Sequence, residues 1–340
     1  MMALSLKSRD RRALRLTLGV GLAVALSASI AWSLAFVAPV FAAKFLVERV
    51  EPTWGTAREL LFGVLATVAI AFAVSVGPIH YPLVFLPLLA LVMLWAYFLF
   101  SDPRWNFFAS MLIIAALLLP YLGLLHPGIA LELGIGLAFS GAVAVLVFTL
   151  MHLLIPEAKA QSGSTADAEE LPDADVRTDE AVRALVIAFP VVGFFFLAQV
   201  SDALLTMIFI AVLSLQASGA KSVKVSLFLL VTNGVGGVVA VLFYQLLVVM
   251  PYLGFYVALA MLVTIVLASY LYADPDKAPL YAGILSTVLV LVGSTASSMD
   301  KEVVSNFYLR LLQIAMVGAY MVFISYFLES RSRPGISLRS

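Results

Sequence analysis

Long apolar segments separated by short polar ones run along almost the whole chain. Cutting the sequence at its charges and at its clusters of proline, glycine and aspartate leaves segments of about 15 to 26 apolar residues, close to the length at which a helix crosses about 30 Å of hydrocarbon. The pattern predicts an all-α integral membrane protein with about twelve transmembrane helices. These spans, S1 to S12, are predicted at 13–31, 34–48, 57–79, 81–100, 105–125, 130–155, 183–200, 203–217, 224–249, 251–273, 278–297 and 303–328.

The composition agrees with this interpretation. Hydrophobic residues make up 63% of the chain and charged residues 12%, and the mean hydropathy is +1.08. Ordinary globular proteins carry about 25% charged residues, so the two soluble domains that 340 residues would allow are excluded. Because the chain has no cysteine and only three histidines, we predict no enzyme, no cofactor and no metal site.

The uncharged run Leu16–Ala43 is too long for one ordinary span, and the distribution of cations indicates how it folds. If it forms a hairpin that breaks near Trp32 and Ser33, every one of the 20 lysines and arginines except Lys301 and Arg310 falls on one side of the membrane. The positive-inside rule then predicts that both termini are cytoplasmic. A cleaved signal peptide is the alternative, but the run far exceeds the roughly 7–15 apolar residues of such a segment.

The second half of the chain repeats landmarks of the first. Arg12-Ala13-Leu14 at the start of S1 recurs 171 residues later at the start of S7, from Arg183. Asp102-Pro103 at the end of S4 recurs as Asp274-Pro275 at the end of S10, 172 residues later. Because each half holds an even number of spans, we predict two parallel six-helix repeats related by an axis along the membrane normal. A chance match of short words is the alternative.

A polar stretch separates the two predicted repeats. Residues 157–180 hold eight acidic side chains and no aromatic one, a composition that cannot bury enough apolar surface to fold alone. We predict a flexible acidic cytoplasmic linker there, with an acidic docking motif as the alternative. The first repeat then covers 1–156 and the second 181–330, and 331–340 forms a cytoplasmic tail.

Few ionisable side chains fall within the predicted spans, and such residues are functional candidates because burying them in lipid is costly. Arg310 in S12 and Glu132 in S6 lie at almost the same depth once the repeats are aligned. One hypothesis is that both line a central pathway, where Arg310 binds an anionic substrate and Glu132 is its gate or proton-exchanging competitor. The alternatives are an ion pair that locks the repeats together, or an Arg310 that reaches the outer interface. Gln313, one turn beyond Arg310, adds a polar group on the same side.

Four weaker candidates complete the predicted pathway. Asp202, between S7 and S8, is either a proton-titrating carboxylate or, as we favour, a solvated helix cap. Asn233 in S9 either lines the pathway or, as we favour, permits close helix contact. Gly19 in S1 aligns with Pro190 in S7, and paired helix breakers of this kind point to a transporter's binding region. Close packing by small residues is the alternative for the glycine.

Two segments of the first half resemble a known superfamily. The chain reads WSLAFVAP from Trp32 to Pro39, in the S1–S2 hairpin, and GTARELLFG from Gly55 to Gly63, leading into S3. Together with the Arg-Ala-Leu start and the repeated six-span unit, these segments resemble the fusaric acid resistance or aromatic acid exporter superfamily. The likeness covers nearly the whole chain, as a compact variant without the large cytoplasmic domains of that superfamily.

This resemblance implies an efflux transporter of the bacterial inner membrane for aromatic carboxylic acids or similar amphipathic anions, driven by the proton gradient. It also implies a periplasmic adaptor protein of the membrane fusion type and a pore where spans of the two repeats meet. The expected partners are therefore an organic anion, the lipid bilayer and this adaptor, and the sequence is compatible with a homo-oligomer. The basic N-terminus fits anionic lipid headgroups better than nucleic acid.

Three other functions stay open on the sequence alone. An anion channel needs no coupling carboxylate. A major-facilitator transporter also has twelve spans in two parallel repeats, although the loop Glu48–Arg58 lacks the signature of that family. A non-transporting membrane scaffold would use Arg310 only structurally. Dependence of flux on a pH gradient separates the exporter from the channel, and any flux excludes the scaffold.

Overall fold

The computed structural model describes residues 8–49, 54–75, 77–102, 104–125, 127–156, 173–198 and 222–297, with single positions 316, 320, 323, 324 and 327. These ranges hold helices and turns and no strand. The α-helices are α1 (Ser8–Ile30), α2 (Val37–Glu48), α3 (Trp54–Ser75), α4 (Pro82–Phe100), α5 (Asn106–Leu125), α6 (Pro127–Leu154), α7 (Ala174–Ala198), α8 (Ser222–Val249), α9 (Leu253–Leu271) and α10 (Ala278–Ser297). Short 3-10 turns, Pro78–His80 and Pro275–Lys277, precede α4 and α10.

Within the described ranges, nine helices are long and apolar enough to cross a membrane. The prediction of a multi-pass helical membrane protein is confirmed at this level. Helices α1 to α7 correspond to S1 to S7, and α8 to α10 correspond to S9 to S11. S8 lies outside the described residues, as does almost all of S12.

The exception among the ten helices is α2. It has 12 residues, which at 1.5 Å per residue make about 18 Å, short of the roughly 30 Å hydrocarbon core. Its predicted span began at residue 34, but the helix begins only at Val37, because the preceding turn takes up the intervening residues. Arg49, with φ −111° and ψ 115°, is extended and ends the helix.

The predicted break of the first hairpin near Trp32 and Ser33 is confirmed. Between the end of α1 and the start of α2, Ala31 and Leu34 have φ of 52° and 61°, in the left-handed region that non-glycine residues seldom adopt. The Ala35 N–H donates to the Trp32 carbonyl over 3.0 Å, and the Val37 N–H donates to the Leu34 carbonyl over 2.9 Å. These bonds close two successive turns and fold α2 back along α1.

Helix contacts divide the chain into two compact units. The first unit draws on Met1–Ala69, His126–Glu170 and Thr232–Phe307, and so holds α1, α2, α6, α9 and α10 with most of α3 and α8. In this unit α1 packs on α2, α6 and α9, and α2 packs on α6 and α10. Its core contains fully buried Leu16, Phe45 and Phe148.

The second unit draws on Ile70–Leu125, Leu171–Val231 and Tyr308–Ser340, and so holds α4, α5 and α7. Helix α4 packs on both α5 and α7. Phe196 of α7 lies at the centre of an aromatic group, 5.0 Å from the ring of Phe85 and 5.4 Å from that of Tyr121. The Tyr320 hydroxyl donates to the Ile187 carbonyl over 3.0 Å.

Helix α7 begins at Ala174, inside the range 157–180 that the sequence assigned to the linker. Asp173 explains this earlier start. Its carboxylate accepts a hydrogen bond from the Ala174 N–H at 3.1 Å, and its carbonyl accepts the N–H of Arg177 at 3.0 Å. An aspartate here satisfies first-turn N–H groups and complements the positive end of the helix dipole.

Candidate functional site

The structure describes four of the predicted pathway residues. Glu132, Gly19 and Asn233 lie in the first unit, and Pro190 lies in the second. Arg310, Gln313 and Asp202 lie outside the described residues. The proposed pairing of Glu132 with Arg310 therefore stays a prediction.

Glu132 anchors the turn between α1 and α2. Its carboxylate accepts a hydrogen bond from the hydroxyl of Ser33. One turn further along α6, Gly136 lies directly against Ser33: a Cβ added there would overlap the Ser33 carbonyl oxygen and lie 3.1 Å from the Ser33 Cβ. The Glu132 side chain is nevertheless exposed, so its carboxylate is held by a hydroxyl without being buried.

Ser140 of α6 fastens the other part of the same turn. It is fully buried; its hydroxyl accepts from the indole N–H of Trp32 at 2.8 Å and donates to the Leu34 carbonyl at 2.9 Å. Phe139 packs edge-on against the Trp32 ring, with centroids 4.9 Å apart. Because residues four apart share a helix face, Glu132, Gly136 and Ser140 form a row that holds the turn on α6.

Asn233 lies where α8 meets α10. The Thr287 hydroxyl donates to the Asn233 side-chain oxygen over 3.2 Å, and the asparagine is 8% exposed. One turn on, a Cβ added to Gly236 would lie 2.7 Å from the Thr287 Cβ, and one added to Gly283 would lie 3.1 Å from Thr232. Small and polar residues thus bring the two helices close, which is the arrangement that the sequence favoured for Asn233.

Helices α1 and α7 run unbroken through Gly19 and Pro190, so neither predicted helix breaker ends its helix. Prolines are tolerated within membrane helices when neighbouring groups satisfy the freed carbonyls. Gly19 instead serves packing: a Cβ there would overlap Leu46 of α2 and approach Met151 of α6 to 3.2 Å. The binding role predicted for freed backbone groups at Gly19 and Pro190 stays a prediction.

A cleft of about 180 Å³ lies between α2 and α10 in the first unit. It is lined by Val40, Ala43, Lys44, Val47 and Glu48 from α2 and by Ala282, Gly283, Leu285 and Ser286 from α10. The Lys44 ammonium lies 3.8 Å from the Glu48 carboxylate. Sequence reasoning treated Lys44 only as a cation for sidedness. Its place within the apolar run Phe41–Val47 was the available signal.

A second cavity, of about 230 Å³, lies in the second unit beside the start of α4. His80 provides its imidazole, and the other lining residues are apolar: Ile79, Pro82, Phe85, Leu86, Leu124, Phe196 and Leu197. Among the described residues, no three histidine, aspartate or glutamate side chains come together as a metal site would require.

Cations gather at one end of the first unit. Arg9 at the start of α1 donates to the Ser269 carbonyl near the end of α9, over 2.6 Å. Lys277 follows α9 and pairs with Asp274 at 3.0 Å, and the hydrogen bond from Lys277 lowers the pKa of the Asp274 carboxyl. The turn held by Glu132 lies at the opposite end of α1.

The second unit shows the same contact between an arginine and a helix end. Arg177 in the first turn of α7 donates to the Phe98 carbonyl near the end of α4, over 3.1 Å, and its guanidinium lies 4.3 Å from the Phe98 ring centroid. Arg104 pairs with Asp102 just beyond α4, at 3.4 Å. This end of the unit thus carries arginines as well, together with the acidic side chains of the first turns of α7.

Comparison with known proteins gives one match. No curated protein and no solved structure matches the chain. The model of a family described as protein of unknown function (DUF2955) matches residues 12–151. The match runs from the first turns of α1 almost to the end of α6, so the chain is similar to this family over the predicted first repeat.

Proposed function

We propose that this protein is a transporter of the bacterial inner membrane, not an enzyme, that exports aromatic carboxylates or similar amphipathic anions in exchange for protons. It is built from two parallel six-helix repeats. The substrate class follows from the resemblance of the segments at 32–39 and 55–63 to the aromatic acid exporters. The observation that carries the proposal is a pair of equivalent arginine contacts, one in each unit.

These two contacts are one repeat length apart. Arg9 donates to the Ser269 carbonyl and Arg177 to the Phe98 carbonyl. The two acceptors are 171 residues apart in the sequence, the same offset that aligns Arg12 with Arg183. The donors are 168 apart, which is one helical turn less. In each case the start of one repeat's first span meets the end of the other repeat's fourth span, because α1 packs on α9 and α7 packs on α4.

The matched aspartates form the same turn in both halves. Asp102 accepts the backbone N–H of Arg104 at 3.0 Å, and Asp274 accepts that of Asp276 at 3.2 Å. Each carboxylate also pairs with a nearby cation, Arg104 or Lys277. A chance match of short apolar sequence segments would not explain why both aspartates make the same backbone contact. These turns therefore support duplication over coincidence.

Three helices of each unit are also related by the repeat offset. The first unit combines α1 of the first half with α9 and α10 of the second, and the second unit combines α7 with α4 and α5. Under the repeat offset, α1, α9 and α10 become α7, α4 and α5. Parallel duplications of this kind are typical of secondary transporters, whose substrate sites lie between the repeats.

We place the helix ends that carry these arginines in the cytoplasm, with both termini, following the positive-inside rule, which counts lysine and arginine. Glu132 then lies towards the periplasm and supplies an accessible carboxylate for proton exchange. Arg310 is its proposed partner in binding the anion. A periplasmic adaptor protein would receive the exported anion.

The test is uptake of a labelled aromatic carboxylate into inverted membrane vesicles, with and without an imposed pH gradient. We expect gradient-driven uptake in the wild type and its loss in Glu132→Gln and Arg310→Gln. Glu59→Gln is the matched control, since it removes a carboxylate that pairs at the surface with Arg49 over 3.1 Å. Uptake that follows voltage and ignores the pH gradient would identify a channel, and no flux with any acid tested would contradict a transporter.

A further inference from the structure

The cleft between α2 and α10 lies alongside α2 from Val40 to Glu48. The two helices run antiparallel: Phe36, just before α2, meets Gly293 late in α10, where an added Cβ would lie 2.7 Å from the Phe36 Cβ, and the other end of α2 faces Ala282 to Ser286. The cleft is therefore a recess between the two helices, next to the last turns of α2 and the first turns of α10.

Lys44 places a positive charge on the wall of this recess. Its side chain is 27% exposed, between the buried residues Ala43 and Phe45. A cation within an apolar helix that faces a cavity is a functional candidate. Ser286 adds a hydroxyl on the facing helix.

Glu48, a partner of Lys44 on the same helix, is a weak competitor for an incoming anion. At 3.8 Å, the distance between the Lys44 ammonium and the Glu48 carboxylate exceeds the roughly 2.7–2.9 Å of a charge-assisted hydrogen bond. The lysine precedes the glutamate by four residues, which is the less favourable order on a helix. The Glu48 side chain is 48% exposed, so it can turn towards water when another carboxylate approaches the ammonium.

The remaining walls select the body of the ligand. Val40, Val47, Ala282 and Leu285 are apolar, so a strongly hydrated ion such as phosphate would lose water there without replacement. The cleft volume of about 180 Å³ is below the roughly 300 Å³ at which pockets for drug-sized molecules begin. A single aromatic ring with one carboxylate matches both limits.

We infer that this cleft is the cytoplasmic binding site for a one-ring monocarboxylate, with Lys44 binding the carboxylate and α2 and α10 enclosing the ring. The inference rests on the proposed function for its role in export, and it names a substrate site separate from Glu132. Glu48 competes with the substrate for Lys44.

The experiment measures binding of 4-fluorobenzoate to the purified full chain in lipid nanodiscs by ¹⁹F NMR. We expect Lys44→Gln to weaken binding about ten-fold or more, as loss of a charge-assisted hydrogen bond does, and Lys44→Arg to retain most of it. Ala282→Phe, which fills the cleft without changing charge, should also abolish binding. Glu48→Gln should tighten binding about two-fold, because it removes a competing ion pair of this strength. Tighter binding in Glu48→Gln cannot arise from misfolding of the variant.

Lys277→Gln is the matched control, since it removes an exposed lysine of the same unit that pairs with Asp274 outside the cleft. Equal weakening in Lys44→Gln and Lys277→Gln, or no binding to the wild type, would overturn the inference. Inorganic phosphate should not compete with the probe, and displacement by phosphate would contradict a site for an apolar body. Binding with the expected pattern but no flux into vesicles would support the binding site in the cleft and contradict the proposed export function. Export that Lys44→Gln leaves unchanged would support the export function and contradict the binding site.

Discussion

At Gly136 a hydrogen in place of a side chain lets the turn between α1 and α2 lie directly on α6. An alanine there would place its Cβ within the Ser33 carbonyl oxygen, and backbone, unlike a flexible side-chain end, cannot move away without disturbing the turn. We expect Gly136→Ala to lower the free energy of unfolding by about 1–3 kcal/mol, as overpacking does. Thermal unfolding of the purified protein in detergent measures the effect.

Gly128→Ala is the control for this change, because an added Cβ there meets nothing within 4 Å in the same helix. Alanine also favours helix over glycine by up to about 1 kcal/mol, so Gly128→Ala should be neutral or stabilising. Equal loss of stability in both variants would contradict the contact between Gly136 and the turn.

Ser140 is the second residue on which the turn depends. In Ser140→Ala, the Trp32 indole N–H and the Leu34 carbonyl both lose their partner in a buried place, where an unsatisfied group costs about 1–3 kcal/mol. We expect a loss of this size in the same unfolding measurement. Ser110→Ala should change little, since the Ser110 hydroxyl only donates back to Asn106 in its own helix, over 2.8 Å.

Apart from the helix breakers Gly19 and Pro190, the candidate residues that sequence reasoning found share one property, a polar group within or next to an apolar run. That property selected Glu132 and Asn233, but their partners Ser33 and Thr287 come from distant helices and leave no local signal. Lys44 was missed as a site residue because the same charge also explains sidedness. Its environment depends on how α2 packs against α10, which a hydropathy profile does not predict.

Two glycines of helix α8 lie in different environments. Gly236 faces α10, where a Cβ would lie 2.7 Å from Thr287 and 3.2 Å from the Ile284 carbonyl, whereas Gly234 meets nothing within 4 Å. We expect Gly236→Ala to separate α8 from α10 and lower stability by about 1–3 kcal/mol, with Gly234→Ala neutral. Comparing their unfolding temperatures decides this, and a reversed order would contradict the placement of the two faces.

Element boundaries were predicted best where an apolar run ends at proline or aspartate. The prediction for S11, 278–297, coincides with α10, and S4 at 81–100 differs from α4 by one residue. The boundary predictions were wrong where local hydrogen bonding or backbone conformation, rather than hydropathy, determines the end of a helix. The left-handed residues Ala31 and Leu34 delay the start of α2, and the Asp173 cap advances the start of α7.

At the scale of the whole molecule, the sequence predicted which segments are helical but not which ones are neighbours. A hydropathy profile carries no information on packing partners, so it could not predict that α1 lies on α9 and α4 on α7. The repeat offset connects these two pairings. The proposal of a duplication rests on short matching sequence segments. It gains support from the contacts of α1 with α9 and of α4 with α7, which those segments alone do not predict.

The membrane sidedness can be tested residue by residue, because the chain contains no cysteine and each introduced cysteine is a unique label site. We expect Glu48→Cys, Asp276→Cys and Arg104→Cys to react with a membrane-impermeant maleimide in inverted vesicles, where the cytoplasmic face is outside. Met250→Cys and Tyr81→Cys, at exposed opposite helix ends, should react only in spheroplasts. The physical reason is that lysines and arginines are retained on the cytoplasmic side.

Glu48 is the decisive position in this series, because α2 is too short to cross a full hydrocarbon core unaided. If the hairpin of α1 and α2 returns to the side from which α1 starts, Glu48→Cys reacts on the same side as Asp276→Cys. Reaction of Glu48→Cys from the periplasmic side would mean that α1 alone crosses, and it would move the recess beside Lys44 away from the cytoplasm. Ala96→Cys, fully buried, should react in neither preparation until the protein is unfolded, which shows that labelling reports exposure.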